Sequence, residues 1–383
     1  MNVFLAGGFA ERGTKEYIES YERARLDAGM LRRLMAFGTK NQEKYIEFYT
    51  KVFFAGNTGF LQREQACRAA GMQRRLYSYV QKKLLIDRLG IAGGKFMLDS
   101  GAFSAHSRGI DIDLQEYADF VVKHSDAFNT VVNLDVIPGK PGTGLNRDPK
   151  EAERAAEASW RNWVDLTAAL KSTGIVPVAV YHLGENRKWL KKLIDATDYI
   201  GIGGIRYGTL TDKLAWLDSL MPALTDDQGY PSRKFHGLAA TSLEIMSRYP
   251  FYSVDSTSWL QTGLRGAILI PRGVLGPRER EIVFSDDPRA LHNRTADHFR
   301  SLGRVEREPV VRYLASKNMT PRMLAEKFCL TCGTTFKRTP LTCCAASEPN
   351  VDYMRRDGMN IAAWLEIERS LEPRPWKGYR RLP

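Results

Sequence analysis

Short apolar runs alternate with amphipathic stretches after residue 50, and this alternation limits the fold more than any other feature of the chain. Helix signals stand between several runs, such as Asp148 before Pro149, with Gly174 beyond the end. Eight strands with intervening helices predict an α/β fold, the (β/α)₈ TIM barrel, whose functional groups collect at the carboxyl ends of the strands. The runs predicted as strands are 51–55, 95–98, 130–134, 176–181, 199–202, 234–238, 252–254 and 267–270.

The two ends of the chain depart from this pattern. Residues 2–7 resemble residues 51–56 and compete with them for the place of the first strand. We therefore predict that residues 1–50 form a mostly helical N-terminal extension, or one that contains the first strand. Residues 51–285 are predicted to form the catalytic barrel, and residues 286–383 a small basic zinc-binding subdomain with a tail.

The composition is that of an ordinary globular protein, with 383 residues of which 43% are hydrophobic and 26% charged. Its apolar runs are shorter than the ~20 residues that cross a bilayer, and its N-terminus lacks the features of a secretory signal. The sequence therefore predicts a cytoplasmic protein with no membrane partner. It favours no particular oligomeric state.

Basic charge is concentrated at the two ends. Residues 1–95 carry 17 Lys and Arg against 9 Asp and Glu, residues 96–270 carry 18 against 21, and residues 271–383 carry 21 against 14. A polyanion held by both ends around a near-neutral centre fits this distribution, and so does a soluble basic protein with no such partner. The basic pairs predicted to contact phosphate include Arg74, Arg75, Lys82 and Lys83, and the aromatic residues between them, Tyr77 and Tyr79, would either stack on bases or pack in the core.

Four of the five cysteines lie close together near the C-terminus, which indicates a metal site rather than a disulfide framework. Cys329 and Cys332 have the spacing of a zinc ribbon, and Cys343 and Cys344 supply two further thiolates. His292 or His298 is the alternative to one of the adjacent pair. We predict structural Zn²⁺ and no organic cofactor, with idle thiols as the alternative.

Two aspartates stand where apolar runs end: Asp99 before Ser-Gly, and Asp255 before Ser-Thr. If they end the second and seventh strands they are three strands apart, which leaves roughly 8 Å between inward-pointing side chains. Two carboxylates around one sugar suit displacement at an anomeric carbon, where one attacks and the other handles a proton. The alternative is that each caps a helix or a turn.

Four motifs occur in order along the predicted barrel: Leu-Asp-Ser-Gly-Ala-Phe-Ser at 98–104, Val-Asn-Leu-Asp at 132–135, Ile-Gly-Gly-Ile at 202–205 and Ser-Val-Asp at 253–255. They resemble those of the queuine/archaeosine-type guanine transglycosylase superfamily, and the similarity spans roughly residues 95–345. It looks closest to the branch, found in phages and bacterial genomic islands, that exchanges guanine in DNA for a 7-deazaguanine.

The resemblance implies catalytic roles for two carboxylates and a substrate-binding role for a third. Asp255 matches the nucleophile that attacks the sugar C1′, and Asp99 matches the general acid/base. Asp135 matches the carboxylate that pairs with the N1–H and amine of a guanine-like base. It also implies DNA and the free 7-deazaguanine base as partners, no triphosphate cofactor, and the host cytoplasm as location if a phage encodes the protein.

Other matched positions are less specific. Gly203 and Gly204 match a glycine pair that lets backbone amides approach the base, although such pairs also form simple turns. His182 stands where the members of this superfamily that act on tRNA usually have glutamine. It would either donate a hydrogen bond to O6 of the base or be a packed structural residue. Phe103 would stack on the base or pack in the core. The departures at His182 and at 101–104 favour DNA over tRNA.

We therefore expect a transglycosylase that inserts a base such as 7-cyano-7-deazaguanine into DNA. The nearest alternative keeps the chemistry and acts on tRNA. A barrel glycoside hydrolase would use Asp99 and Asp255 on a carbohydrate, with water as acceptor. A non-catalytic alternative is a zinc-containing nucleic-acid-binding protein on a barrel without activity.

Overall fold

A computed structural model describes residues 51–56, 61–89, 96–139, 148–205, 208–285, 297–325, 327–328, 335–336, 354–371 and 375–376. The predicted extension 1–50 lies outside these residues. The chain separates into two compact units, one of residues 1–53, 76–255 and 369–383, the other of residues 54–75 and 256–368. The predicted domain limits at 50 and 285 stay a prediction.

The larger unit is built on a curled parallel sheet of eight strands. Their order across the sheet is β4-β3-β2-β1-β8-β7-β6-β5. The two edge strands meet where Val178 N donates to Val131 O at 2.8 Å and Asn133 N donates to Val178 O at 2.9 Å. This arrangement is compatible with the predicted TIM-like fold. The strands are β1 (Lys51–Ala55), β2 (Arg75–Ser78), β3 (Phe96–Asp99), β4 (Phe128–Val131), β5 (Ala179–His182), β6 (Tyr199–Gly203), β7 (Lys234–Gly237) and β8 (Ser253–Ser256).

Helices follow the strands along the chain. Asp113 and Asp148 begin two of them, because their carboxylates accept from Glu116 N and Lys150 N, each at 2.8 Å. These helices are α1 (Leu61–Ala69), α2 (Lys82–Leu89), α3 (Ala102–Arg108), α4 (Leu114–Lys123), α5 (Pro149–Ala169), α6 (Arg187–Ala196), α7 (Leu210–Leu224), α8 (Leu243–Arg248) and α9 (Ser258–Leu264). Short 3₁₀ turns lie at Tyr79–Gln81, Ser125–Ala127 and Lys171–Thr173.

Two strand assignments from sequence were wrong. The second strand is β2, which was missed because it is short and begins with an arginine. Residues 267–270 are not the eighth strand of this sheet but β9 (Ala267–Ile270), which pairs antiparallel with β10 (Arg280–Val283) in a separate three-stranded sheet. An apolar run does not reveal which sheet it joins. Because both errors shift the count by one, Asp99 on β3 and Asp255 on β8 are still three steps apart.

The second unit has its own core around β9 and β10, made by Ile268, Ile282, Val310, Leu314 and Met359. Asn360 binds backbone on both sides of β9: its Oδ1 accepts from Leu269 N at 2.7 Å, and its Nδ2 donates to Ala267 O at 3.3 Å. The remaining elements are β11 (Asp297–His298), a 3₁₀ turn (Phe299–Ser301), α10 (Arg304–Ser316), α11 (Pro321–Ala325), β12 (Lys327–Phe328), β13 (Thr335–Phe336) and α12 (Met354–Ser370).

The four predicted zinc ligands, Cys329, Cys332, Cys343 and Cys344, lie outside the described residues. The alternative ligand His292 also lies outside them. Within the described ranges no cluster of His, Cys, Asp and Glu has the makeup of a metal site. In those same ranges, no helix combines the length and apolar character that crossing a bilayer requires.

Arg75 is an internal structural residue, so its prediction as a phosphate contact was wrong. Its side chain is 0% exposed and donates to Glu64 at 2.9 Å and to the carbonyl oxygen of Gly56 at 2.7 Å. Arg74 pairs with the buried Glu368. Tyr77 and Tyr79 are buried, which confirms core packing. The other two predicted phosphate contacts lie at the surface. Lys82 pairs with Glu116 at 3.2 Å, and Lys83 is exposed.

Replacing Arg75 should therefore destabilise the protein. We expect Arg75→Met to lower the free energy of unfolding by about 3–5 kcal/mol, because it leaves Glu64 buried without its partner. Lys83→Met, a matched change at an exposed position, should alter it by less than about 0.5 kcal/mol. Urea denaturation of the two variants measures this, and equal stability would contradict the assignment.

Candidate active site

Four polar side chains lie at or near strand ends on one edge of the sheet. Asp99 ends β3, Asp135 follows β4 by four residues, His182 ends β5, and Asp255 lies in β8. Parallel strands present their carboxyl ends at the same edge. The charges of Asp135 and Asp255 both raise the pKa of Asp99, so the three carboxylates belong to one site.

Asp99 is the carboxyl group whose protonation is most altered. Removal from water raises its pKa from 3.8 to about 7, and the negative charges of Asp135 and Asp255 act in the same direction. The N–H of Gly101, which donates to Oδ2 at 3.1 Å, opposes the rise. A carboxyl group that titrates near neutral pH is suited both to give and to take a proton.

Asp135 is held by a histidine that has a second carboxylate partner. His182 Nε2 lies 2.8 Å from Asp135 Oδ2, and His182 Nδ1 lies 2.9 Å from Glu185 Oε1. Burial lowers the pKa of His182, but the bonds to Asp135 and Glu185 outweigh it and raise that pKa to about 10. Both ring N–H groups are therefore engaged. The predicted donation from His182 to a base stays a prediction, and it requires one of these bonds to break.

Asp255 has one carboxylate oxygen fixed and one open. Ala239 N donates to Oδ1 at 2.7 Å, and His236 Nε2 lies 3.3 Å from the same oxygen. Among the described residues, none donates a hydrogen bond to Oδ2, and the side chain is 13% exposed. This leaves Oδ2 available to react with a bound molecule.

The glycine pair after β6 makes room for the His182 side chain. A Cβ on Gly203 would lie 2.6 Å from His182 Cδ2, and one on Gly204 would lie 2.7 Å from Leu183 Cβ. Gly204 also has a φ of +87°, a conformation that side chains disfavour. These contacts explain both glycines without a ligand, and their predicted approach to a base stays a prediction.

Two residues of the site were missed from sequence. Glu185 stands three residues after His182, and that spacing was the available signal. His236 lies inside β7, and no motif surrounds it. Only the alternation of side chains between the two faces of the strand could have indicated that it faces Asp255. Phe103 is 38% exposed, so the expectation that it packs in the core was wrong.

A scan against known protein families and a search of curated proteins find no match for this chain. The chemistry of the site rests on its own geometry. It holds one carboxyl group that titrates near pH 7, one carboxylate with an open oxygen, and one ion-paired carboxylate.

Asp99→Asn should stabilise the protein at neutral pH. Between pH 4 and 7 the unfolded chain gives up the Asp99 proton while the folded protein keeps it, so this group makes wild type less stable as pH rises. We expect the variant to match wild type near pH 4 and to exceed it by about 1–4 kcal/mol at pH 8. Thermal unfolding across this range measures the difference. The exposed Asp227→Asn variant should show none, and an Asp99→Asn protein no more stable than wild type at pH 8 would contradict the pKa assignment.

His182 should stay an imidazolium through neutral pH. Its folded-state pKa exceeds 6.5, so its contribution to stability is complete below pH 6.5 and is lost as pH rises toward about 10. NMR titration should show no change at His182 up to pH 8.5, whereas His124, whose pKa burial lowers, titrates below 6.5. Glu185→Gln should lower the pKa of His182. Titration of His182 near 6.5 in wild type would contradict the paired arrangement.

Proposed function

We propose that this protein is a transglycosylase that exchanges guanine in DNA for a 7-deazaguanine base through a covalent Asp255–nucleotide intermediate. One observation carries the proposal: a protonatable Asp99 and an Asp255 with an open oxygen belong to the same site. The four motifs that resemble guanine transglycosylases contain these residues and supply the substrate class.

In the first step, Asp255 Oδ2 attacks the sugar C1′ and the bond from C1′ to guanine breaks. Asp99 gives its proton to a ring nitrogen of the departing base, which leaves as neutral guanine. A pKa near 7 supports this role, because a useful fraction of Asp99 carries a proton at neutral pH.

In the second step, the incoming base gives a ring N–H proton to Asp99, and its nitrogen attacks C1′. The ester bond to Asp255 breaks and the carboxylate returns. Each proton and bond is restored, so no triphosphate is needed. Two inversions at C1′ retain the configuration of the nucleotide.

Asp135 is the proposed partner of the base. It forms an ion pair with His182, and a carboxylate accepts from both the N1–H and the exocyclic amine of a guanine-like base. Exposed apolar side chains follow the strands on either side of β4, Phe103 at 38% and Leu183 at 41% exposure, and they offer surface to a planar ring.

The polymer is proposed to be DNA, with the target guanine flipped out or single-stranded, because a site at strand ends does not reach a base inside a duplex. Support comes from the basic ends of the chain and from the departures of 101–104 and His182 from the tRNA-type pattern. A structural zinc ion held by the four clustered cysteines is part of the proposal. The strands that flank Cys329 and Cys332 pair as a short antiparallel ladder, which suits a zinc ribbon.

Nucleoside mass spectrometry of DNA and of tRNA, each incubated with the protein and free 7-cyano-7-deazaguanine, tests the proposal. We expect the base to enter DNA, and Asp255→Asn to lower the rate at least about 1000-fold, because the amide keeps the bond to Ala239 N but is a poor nucleophile. Asp227→Asn, an exposed change in the same unit, should keep the wild-type rate.

Four results would contradict the proposal. Incorporation into tRNA alone would show that the substrate is tRNA and not DNA. Release of free guanine without insertion of the new base would indicate a hydrolase. Wild-type activity in Asp255→Asn would remove the nucleophile. Full DNA binding by Asp255→Asn, with no exchange by wild type on either polymer, would favour a non-catalytic binding protein.

A further inference from the structure

A chain of three hydrogen bonds lies behind Asp255. Tyr199 Oη is 2.5 Å from Ser253 Oγ, Ser253 Oγ is 2.6 Å from His236 Nδ1, and His236 Nε2 is 3.3 Å from Asp255 Oδ1. These residues come from the neighbouring strands β6, β7 and β8. His236 and Ser253 are register partners, and Asp255 is two residues further along β8, so all three side chains share one face of the sheet. His236 and Ser253 are 0% exposed.

The carboxylate of Asp255 determines which atom donates in each of these three hydrogen bonds. The carboxylate of Asp255 only accepts, so His236 carries hydrogen on Nε2. When the ring is neutral, its Nδ1 accepts from Ser253 O–H, and Ser253 Oγ accepts from Tyr199 O–H. Burial raises the pKa of Tyr199, which keeps the phenol protonated as the last donor. Each member therefore has a partner of the right kind, with no donor facing a donor.

We propose that His236 is a positioning residue for Asp255, and that Tyr199 and Ser253 hold its ring in the Nε2–H tautomer. The inference rests on the proposed function and deepens it. Together with Ala239 N, His236 fixes Oδ1 and thereby directs Oδ2 toward the sugar carbon. Ala239, whose N–H donates to Oδ1, adopts a φ of +54°, which is unusual for a residue other than glycine.

A hydrogen bond to Oδ1 of Asp255 affects the two steps of the exchange differently. A hydrogen bond to Oδ1 is stronger when Asp255 is a carboxylate than when it is an ester. In the first step the carboxylate becomes an ester, so this hydrogen bond weakens, which opposes the attack. The fixed position of Oδ2 favours the attack. In the second step the carboxylate returns, and both effects favour cleavage of the ester. Removing the His236 donor should therefore slow the decay of the covalent intermediate more than its formation.

A matched pair of substitutions tests the proposal. The amide of Gln reaches the place of the imidazole Nε2 and donates to Asp255, whereas the shorter amide of Asn reaches only the place of Nδ1. We expect His236→Asn to slow decay of the covalent intermediate about 10-fold to 100-fold, so that it accumulates, and His236→Gln to recover most of that loss. Ser253→Ala should have a smaller effect and Tyr199→Phe the smallest, because they act through the ring.

Rapid-quench measurement of the protein–DNA adduct gives both rates, and circular dichroism checks that each variant is folded. Affinity for the DNA should change less than twofold. Equal rates for the Asn and Gln variants would overturn the proposal, as would equal slowing of formation and decay.

NMR of the ¹⁵N-labelled free protein tests the hydrogen-bond chain without any substrate. The Nε2 of His236, assigned by its loss in His236→Gln, should carry hydrogen. A ring protonated on Nδ1 alone would overturn the inference. If wild type exchanges no base on DNA or tRNA, the proposed function fails, and this spectrum still decides whether His236 donates to Asp255.

Discussion

Repulsion among three carboxylates at the carboxyl ends of parallel strands is the constraint around which the rest of the site is organised. Asp99, Asp135 and Asp255 follow β3, β4 and β8 or lie within them, and the negative charges of Asp135 and Asp255 raise the pKa of Asp99. The protein resolves this in three ways. The pKa of Asp99 is raised to about 7, Asp135 pairs with His182, and Asp255 accepts hydrogen bonds from Ala239 N and His236. These three arrangements match the three roles that we propose, which are proton carrier, base-binding carboxylate and nucleophile.

The same constraint explains why polar side chains are buried around the strand ends. His236, Ser253 and Glu185 are buried, and each is hydrogen-bonded to another member of the site or to a residue that supports it. Buried polar groups are costly without partners, so they are expected only where they perform a task. The site therefore extends one layer below the carboxylates.

Much of the fold could be predicted from sequence, because buried parallel strands are continuous apolar runs of recognisable length. The prediction failed at β2, where Arg75 is buried through its bonds to Glu64, and at β9, whose residues are as apolar as those of the main sheet. The three-strand separation of Asp99 and Asp255 survived because the two errors cancelled. The carboxylates were found because strand ends mark functional positions. His236 and the pairing of His182 with Glu185 were not found, because they depend on side-chain geometry across strands.

The most direct test of the account is to trap the reaction halfway. Protein and a guanine-containing single-stranded oligonucleotide are mixed without an acceptor base, denatured, digested with protease and examined by mass spectrometry. The account predicts one oligonucleotide linked to the peptide that contains Asp255, together with one free guanine for each adduct. An adduct on Asp99, or release of guanine with no adduct on any peptide, would contradict it.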